Sequence, residues 1–337
     1  MILVTGGTGL VGSHLLFELT KTDQNIRALY RSTKTIKNVK KVFSYYTDKT
    51  ETQFKKIEWV QADLNDLPKL EDAFEGIKKV FHCAALISFA PNDYNQLKKV
   101  NTQGTANIVN LCISYSVQKL CYVSSVATMG FDPNKISEET TWKPEEIKNV
   151  YALTKYAAEK EVWRGIQEGV PSVILNPGVI LGPGYFNSGS GLLFKIINKG
   201  LKYKTNGITG YVDVNDVVKS MLLLMSKKHL NERYIIVGKT LSFSELISKI
   251  SDVLGVKAPK KFAKRWMLSL AWRIDWAKHK VLGKNRKLTK NMCKTLNSKN
   301  HYSSEKFLKV EKEFNFKPIS QTILEVGNLF LKESKVF

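Results

Sequence analysis

The sequence predicts an α/β fold: a doubly wound parallel sheet with helices on both faces, joined to a smaller, mostly helical C-terminal lobe. Three observations predict it. Apolar, β-branched runs alternate with helical patterns through the first half of the chain. A glycine-rich turn follows the very first run and opens a helix. From residue 257 onward the pattern is helical and strongly basic.

The elements follow in order. Strands are expected at 2–5, 25–30, 57–62, 78–83, 119–124 and 171–176, with helices between them at 10–21, 66–76, 94–115 and 150–168. Residues 31–56 form a long, Lys-rich connection with room for a short helix at 35–45. After 176 the chain loosens into Gly- and Pro-containing loops, returns with Tyr234-Ile235-Ile236-Val237, and forms a helix near 242–254. The expected division is a dinucleotide-binding domain of residues 1–176 and 209–238, with a substrate lobe of 177–208 and 239–337.

Composition bounds the function. The chain has 337 residues, 43% hydrophobic and 24% charged, which supplies a core and excludes a disordered, collagen-like or low-complexity protein. Its 52 Lys and Arg against 30 Asp and Glu leave a formal charge of +22. Such a balance attracts polyanions, whether nucleic acid, anionic lipid or phosphorylated ligands, without specifying a fold. Cys83, Cys112, Cys121 and Cys293 lie far apart with no CxxC spacing, and read as reduced thiols of a cytoplasmic protein. His14, His229, His279 and His301 have no acidic or thiol partner at ligand spacing, so no metal is expected. The first strand starts at Ile2, leaving no room for a signal peptide. The longest uncharged stretch, 169–194, is broken by Pro171, Pro177 and Pro183, so no spanning helix is expected.

Thr5-Gly6-Gly7-Thr8-Gly9-Leu10-Val11-Gly12 carries the first chemistry. Gly6 permits a tight turn, Gly9 lets backbone approach a pyrophosphate, and Gly12 lets helix pack on strand, with the helix N-terminus adding positive potential. This turn is expected to bind a dinucleotide. The end of the second strand then selects its type. An acidic residue there takes the ribose hydroxyls of NAD. Here Tyr30-Arg31-Ser32 stands instead, followed by Lys34, a set suited to a 2′-phosphate. NADP(H) is favoured over NAD(H), which stays open.

Tyr151 and Lys155 stand at i and i+4, on one face of a helix. A phenol titrates near ~10, too high for proton exchange at neutral pH, and a nearby ammonium lowers that value. Ser124-Ser125 ends the fifth strand, where a hydroxyl could hydrogen-bond a reacting carbonyl.

With these motifs in order, the chain resembles the extended short-chain dehydrogenases/reductases. The likeness is to their epimerase/dehydratase branch and its dihydroflavonol-reductase-like subgroup, from residue 1 to about 240 and more thinly beyond. The resemblance implies a Rossmann-type sheet. Further segments carry it: Ala62-Asp63-Leu64, where the resemblance implies that Asp63 contacts adenine; His82-Cys83-Ala84-Ala85, which resembles the family's segment beside the cofactor; and Val100-Asn101-Thr102-Gln103-Gly104-Thr105, which resembles its fourth-helix motif. Asn176-Pro177-Gly178 and Gly182-Pro183 resemble the loop bordering the nicotinamide, and Tyr211–Asp216 a late segment linking the lobes. The implied catalytic residues are Ser125, placed by its position before Gly130, with Tyr151 moving the hydroxyl proton and Lys155 tuning Tyr151 and holding the ribose. The implied cofactor contacts are the 6–12 turn, Tyr30, Arg31, Ser32, Asp63, Leu64, Ala84, Ala85, Asn101, Ser124, Tyr151, Lys155, Pro177 and Gly178.

Two departures narrow the chemistry. The family's nucleotide-sugar dehydratases carry acidic residues directly after the catalytic hydroxyl, where this chain has Val126 and Ala127. Many of its epimerases carry Asn where this chain has Val179. Both point toward a ketone, aldehyde or secondary alcohol on a less polar substrate. The expected function is an NAD(P)-dependent oxidoreductase acting on a small molecule. The alternatives are an epimerase that retains its cofactor and a non-catalytic dinucleotide-binding or membrane-surface scaffold. A homodimer is consistent with the family, through the helices near 94–115 and 150–168.

Residues 257–290 hold twelve Lys or Arg against Asp275 alone. Ala263, Met267, Leu270, Ile274, Ala277 and Val281 fall at helical spacing within them, with Trp266, Trp272 and Trp276 nearby. The expectation is that this stripe faces the substrate pocket; the second reading is a peripheral membrane contact. No nucleic-acid motif accompanies the charge, so no specific nucleic acid is expected.

Overall fold

The structure is a computed structural model describing residues 1–143, 146, 149–226, 230–282 and 288–334. His229, residues 283–287 of the basic segment and residues 335–337 of the lobe lie outside the described residues.

From the N-terminus, β1 (Ile2–Thr5) leads into α1 (Leu10–Leu19), β2 (Ile26–Tyr30), α2 (Thr33–Phe43), α3 (Thr50–Phe54) and β3 (Ile57–Gln61). Then come α4 (Leu67–Phe74), β4 (Lys79–His82), the short α5 (Tyr94–Leu97), α6 (Gly104–Ser114), β5 (Lys119–Val123), α7 (Val150–Gln167) and β6 (Ser172–Pro177). The second half adds β7 (Val179–Leu181), α8 (Gly191–Asn198), β8 (Tyr203–Lys204), β9 (Ile208–Asp213), α9 (Val214–Ser226), β10 (Glu232–Ile236), β11 (Lys239–Ser242) and α10 (Phe243–Leu254). The chain closes with β12 (Lys261–Phe262), α11 (Arg265–Leu282), α12 (Lys290–Thr295), α13 (Glu305–Val310) and α14 (Ile319–Ser334).

Seven strands form one parallel sheet in the order β10-β6-β5-β4-β1-β2-β3. The chain begins in the middle and winds outward in both directions, so β1 and β4 diverge at the crevice where such sheets bind ligands. Every residue of β1, β5 and β6 is buried, which is why these strands read as unbroken apolar runs. On one face, Leu16 and Phe17 of α1, Phe43 of α2 and Met221 of α9 pack over Val4, Ala28 and Phe81. On the other, Phe74 of α4, Ile108 of α6 and Val162 of α7 pack over Leu3, Val80 and Tyr122.

The expected single helix over 94–115 is interrupted. Residues Lys98–Gln103 widen into a π-helical stretch between α5 and α6, and Asn101 sits buried inside it. The expected loops of 177–208 are also more ordered than their glycines suggest. That region holds β7, α8 and β8, and β7 joins β9 and β11 in a three-stranded sheet. Its glycines serve close approach: a Cβ on Gly178 would lie 2.5 Å from the Gly210 carbonyl oxygen. Phe186, Phe194, Leu246, Ile323 and Phe330 join α8, α10 and α14 in a separate apolar cluster.

The basic helix α11 corrects one expectation. Its inward side carries buried Leu268 and half-buried Trp272, Asp275 and His279. Leu270, Ile274, Ala277 and Val281 of the expected pocket-facing stripe are exposed, and only Met267 and Ala263 are half-buried. Helical period fixes that such residues share a side but not which way the side faces.

Candidate active site

The glycine turn lies at the C-terminal end of β1, the strand between β4 and β2. Gly6 has φ +66, and a Cβ there would lie 2.6 Å from Ala84 backbone. A Cβ on Gly12 would lie 2.2 Å from the Gly6 carbonyl oxygen. The turn is closed by the Gly9 amide donating to that oxygen at 3.0 Å, and Gly9 caps α1. The first turn of α1 holds no acidic residue, so its amides and dipole face the crevice without a resident anion. Such a cradle fits a pyrophosphate. Thr8, Leu10 and Val11 are half-buried, Gly7 buried. Tyr185, from the segment after β7, donates its hydroxyl to the Thr8 carbonyl at 2.8 Å, a contact no motif announced.

At the end of β2, Tyr30 and Arg31 lead into Ser32, which caps α2; the first turn of that helix also lacks an acid. The Arg31 guanidinium lies 3.9 Å from Asp63, both side chains being well exposed. Asp63 Oδ1 accepts from the Asn65 amide and side chain at 3.0 and 3.1 Å, which fixes the carboxylate at the tip of β3. Leu64, buried, lies under Gly104, where a Cβ would approach its side chain to 2.8 Å. Arg31, Ser32 and Asp63 thus form one edge of the crevice, with cationic and anionic groups side by side.

The reaction end is built from β5, α7 and β6. The two serines that end β5 face differently. Ser124 is buried and donates to Glu159 Oε2 at 2.5 Å. Ser125 is half-buried; its Oγ accepts from the Ala127 amide at 3.1 Å, and it stands close enough to the Tyr151 phenol to oppose the rise of its pKa. Asn149 caps α7 by accepting from the Ala152 amide at 2.9 Å, and Tyr151 follows in the first turn. Burial pushes the Tyr151 phenol up to about 12, with Ser125 opposing. The Phe89 ring meets Tyr151 edge-on at 5.7 Å.

Lys155, one turn later, is 1% exposed. Its Nζ donates to Tyr122 Oη at 2.6 Å and to the Val123 carbonyl at 2.9 Å. Burial lowers it to about 7, with the charges of Glu159 and Cys83 opposing. The motif placed Lys155 beside Tyr151; the structure brings Ser125 to Tyr151 and Lys155 to Tyr122. Asn101 engages its side chain within the protein, accepting from the Leu86 amide at 2.7 Å and donating to the Leu86 carbonyl at 3.0 Å. It therefore positions the loop after β4, which includes half-buried Ala84 and exposed Ala85. Pro177 ends β6, and the Gly178 amide donates to the Ile236 carbonyl at 3.1 Å.

Glu159 organises the floor beneath these groups. Besides Ser124 it accepts from Thr128 at 2.9 Å and Asn176 at 2.8 Å, and pairs with Arg233 at 3.2 Å. A surface cavity of about 470 Å³ lies behind it, lined by Glu138, Tyr156, Trp163, Arg233 and Lys306. That cavity is away from the Ser125 and Tyr151 hydroxyls.

Residues 2–238 match the NAD dependent epimerase/dehydratase family. A Synechocystis protein provisionally named a dihydroflavonol 4-reductase is 29% identical over 279 residues, covering 80% of this chain and 77% of the relative. Cinnamoyl-CoA reductase 1 of Petunia hybrida is 26% identical over 263 residues, covering 74% of this chain and 76% of the relative. Among solved structures, gox2253 superposes with a TM-score of 0.81 at 25% identity, covering 99% of both chains. The Thermotoga maritima UDP-glucose 4-epimerase, solved with UDP-glucose, has a TM-score of 0.74 at 20% identity over 99% of both chains, a likeness of fold. Among the described residues no helix is long and apolar enough to cross a membrane. The glycine cradle, the β5–α7 hydroxyl pair and the family match agree on an enzyme of NAD(P)-dependent oxidoreduction, and the chain belongs to the NAD-dependent epimerase/dehydratase family of extended short-chain dehydrogenases/reductases.

Proposed function

We propose that the protein reduces a ketone or aldehyde on a small, weakly polar molecule, with NADPH as the preferred cofactor. The observation that carries this reading is the Ser125–Tyr151 hydroxyl pair at the end of β5, in the crevice that the glycine turn opens. The residues fit a dinucleotide: the 6–12 turn would hold the pyrophosphate, Arg31 and Ser32 a 2′-phosphate, and Asp63 and Leu64 the adenine side. When bound, the nicotinamide supplies the hydride.

Ser125 orients the carbonyl oxygen, and Tyr151 donates the proton that the nascent alkoxide takes. A phenol held up to about 12 carries its proton at neutral pH, which suits the reductive direction. The positive charge of Lys155, one turn below, favours the phenolate left behind. Val126 and Ala127 offer no acid for dehydration, and Val179 no amide for a sugar phosphate. We also propose that residues 1–176 and 209–238 act as the dinucleotide domain and 177–208 with 239–337 as the substrate lobe. A homodimer through α5, α6 and α7 is the proposed assembly. The proposed compartment is the cytoplasm, in keeping with four unpaired cysteines.

The test is to denature freshly purified protein, assay released nicotinamide, and titrate the protein with NADPH and NADH before a carbonyl screen. An empty protein that binds NADPH more tightly supports the reading. Stoichiometric cofactor retained through purification replaces it with an epimerase that never exchanges its nicotinamide.

A further inference from the structure

Helix α11 presents an apolar stripe to water. Trp266, Leu270, Ile274 and Val281 are 64%, 51%, 46% and 81% exposed. They stand at i, i+4, i+8 and i+15, with exposed Ala277 completing the row, so they share one side of the helix. Trp276, also exposed, widens the apolar area at one edge. The opposite side fastens α11 to the protein. Leu288 donates its amide to Asp275 at 3.1 Å, Cys293 Sγ donates to the Leu268 carbonyl at 3.5 Å, and His279 hydrogen-bonds Asn92 at 3.0 Å. The stripe is therefore the outer face of a docked helix.

Charge selects what covers it. By helical angle Arg273 flanks the stripe on one side and Lys278 on the other, both exposed. Lys257, Lys260, Lys261, Lys264 and Arg265 precede it. The 257–290 segment sums to +11, from twelve Lys or Arg less Asp275. A second copy would bring the same cationic flanks against each other. A nucleic acid offers phosphates but no apolar phase for Trp, Leu, Ile and Val. An anionic lipid surface offers both, headgroup charge at the flanks and acyl chains at the stripe. No described helix can span a bilayer, so α11 would lie flat in the interface.

We propose that α11 docks the protein on anionic membrane, with Trp266, Leu270, Ile274 and Val281 in the acyl boundary and the flanking Arg273 and Lys278 at the headgroups. The docked face adjoins the reaction site: Asn92, which holds His279, follows the loop whose Phe89 packs on Tyr151. The inference rests on exposure and charge, and stands apart from the reductase reading.

The experiment is co-sedimentation of the full chain, without cofactor, with phosphatidylcholine vesicles and with phosphatidylcholine–phosphatidylglycerol vesicles. The wild type is expected to pellet with the anionic vesicles only. Leu270→Ser with Ile274→Ser is expected to weaken that binding about tenfold or more, with charge unchanged and melting temperature retained, since both side chains already face water. Arg273→Glu with Lys278→Glu is expected to weaken it comparably. Wild type left in the supernatant overturns the proposal. So does equal binding by the serine pair, which would leave charge alone at work. A drop in sedimenting mass of the vesicle-free protein on introducing the serine pair overturns it too, by making the stripe a self-interface. NADPH titration of the same samples reports on the reductase reading independently.

Discussion

The Lys155 ammonium rests on the hydroxyl of Tyr122, 2.6 Å away, and the Tyr122 ring stacks on His82, the middle of a buried polar chain across the sheet. The parallel register pairs Thr5 with His82 and His82 with Tyr122. Thr105 donates to the Asn101 carbonyl at 2.5 Å, so it accepts from His82 Nε2 at 3.0 Å, and His82 Nδ1 accepts from Thr5 at 2.6 Å. His82, fully buried and beside Lys155, is lowered to about 3 and stays neutral. The direct acceptors of the Lys155 ammonium, the Tyr122 hydroxyl and the Val123 carbonyl, are thus uncharged, and Glu159 adds the favourable charge.

Tyr122→Phe removes the acceptor that favours the charged form of Lys155. The lysine, already lowered to about 7, falls further, so its positive charge is lost at lower pH. The alkaline limb of kcat is expected to move down by about one pH unit. A pH–rate profile of the variant that overlays the wild type refutes a supporting role for Tyr122.

Lys155 also leaves a mark on stability. Its folded value of about 7 lies below its ordinary 10.5, so between those limits the unfolded chain binds more protons than the folded one. Stability contributed through this group therefore rises with pH across that window and is flat below it. Urea unfolding of wild type and Lys155→Met is expected to show the wild type gaining on the variant as pH rises through this interval. A difference constant with pH contradicts the buried, deprotonation-prone lysine.

Tyr151→Phe keeps the ring that packs on Phe89 and removes the proton donor. The rate of carbonyl reduction is expected to fall by about 10²–10⁴-fold, with NADPH affinity nearly unchanged. Rates within tenfold of wild type would remove the tyrosine from its proposed role.

Arg31→Ala tests the choice of nicotinamide. Its guanidinium is 63% exposed, so its contact with Asp63 contributes little to folding, and a bound 2′-phosphate would gain a charge-assisted bond. NADPH affinity is expected to drop about tenfold or more while NADH affinity holds within about twofold. Equal losses for both cofactors would assign Arg31 to a shared contact and leave selectivity elsewhere.

The first half of the fold was legible because parallel strands buried on both faces, such as Ser172–Pro177, read as apolar runs. The glycine turn was legible for a related reason: Gly6 and Gly12 stand where no side chain fits, and sterics write themselves into sequence. What stayed hidden depends on three-dimensional pairing. No motif marks Tyr122, and its bond to Lys155 follows only from the facing of β5 and α7. Ser124 and Ser125 are chemically identical; successive residues of extended chain face opposite ways, and Glu159 receives the one that turns inward. In α11 the spacing of Leu270, Ile274 and Val281 defined a stripe, yet its outward direction was set by Leu268 and Trp272 packing on the other side. In 177–208, glycines needed for close strand approach mimicked those of loops.

Glu159 holds the floor of the site, and its removal is the most damaging single change predicted. It is 2% exposed, accepts from Ser124, Thr128 and Asn176, and faces Arg233, whose side chain is 15% exposed. Glu159→Leu leaves Ser124 without its acceptor and a largely buried guanidinium without its counter-charge, which costs about 3–5 kcal/mol, though Arg233 keeps the Glu138 carbonyl and Thr128 and Asn176 keep the Ser125 carbonyl. Glu159→Gln keeps an acceptor oxygen and loses only the charge, so it is expected to cost less, about 1–3 kcal/mol. Because Ser124 and Asn176 flank Ser125 and Pro177, the leucine variant is also expected to lose activity out of proportion to its unfolded fraction. Urea unfolding of both variants gives the ordering; a leucine variant within about 1 kcal/mol of wild type would mean the network relaxes onto water and does not hold the site.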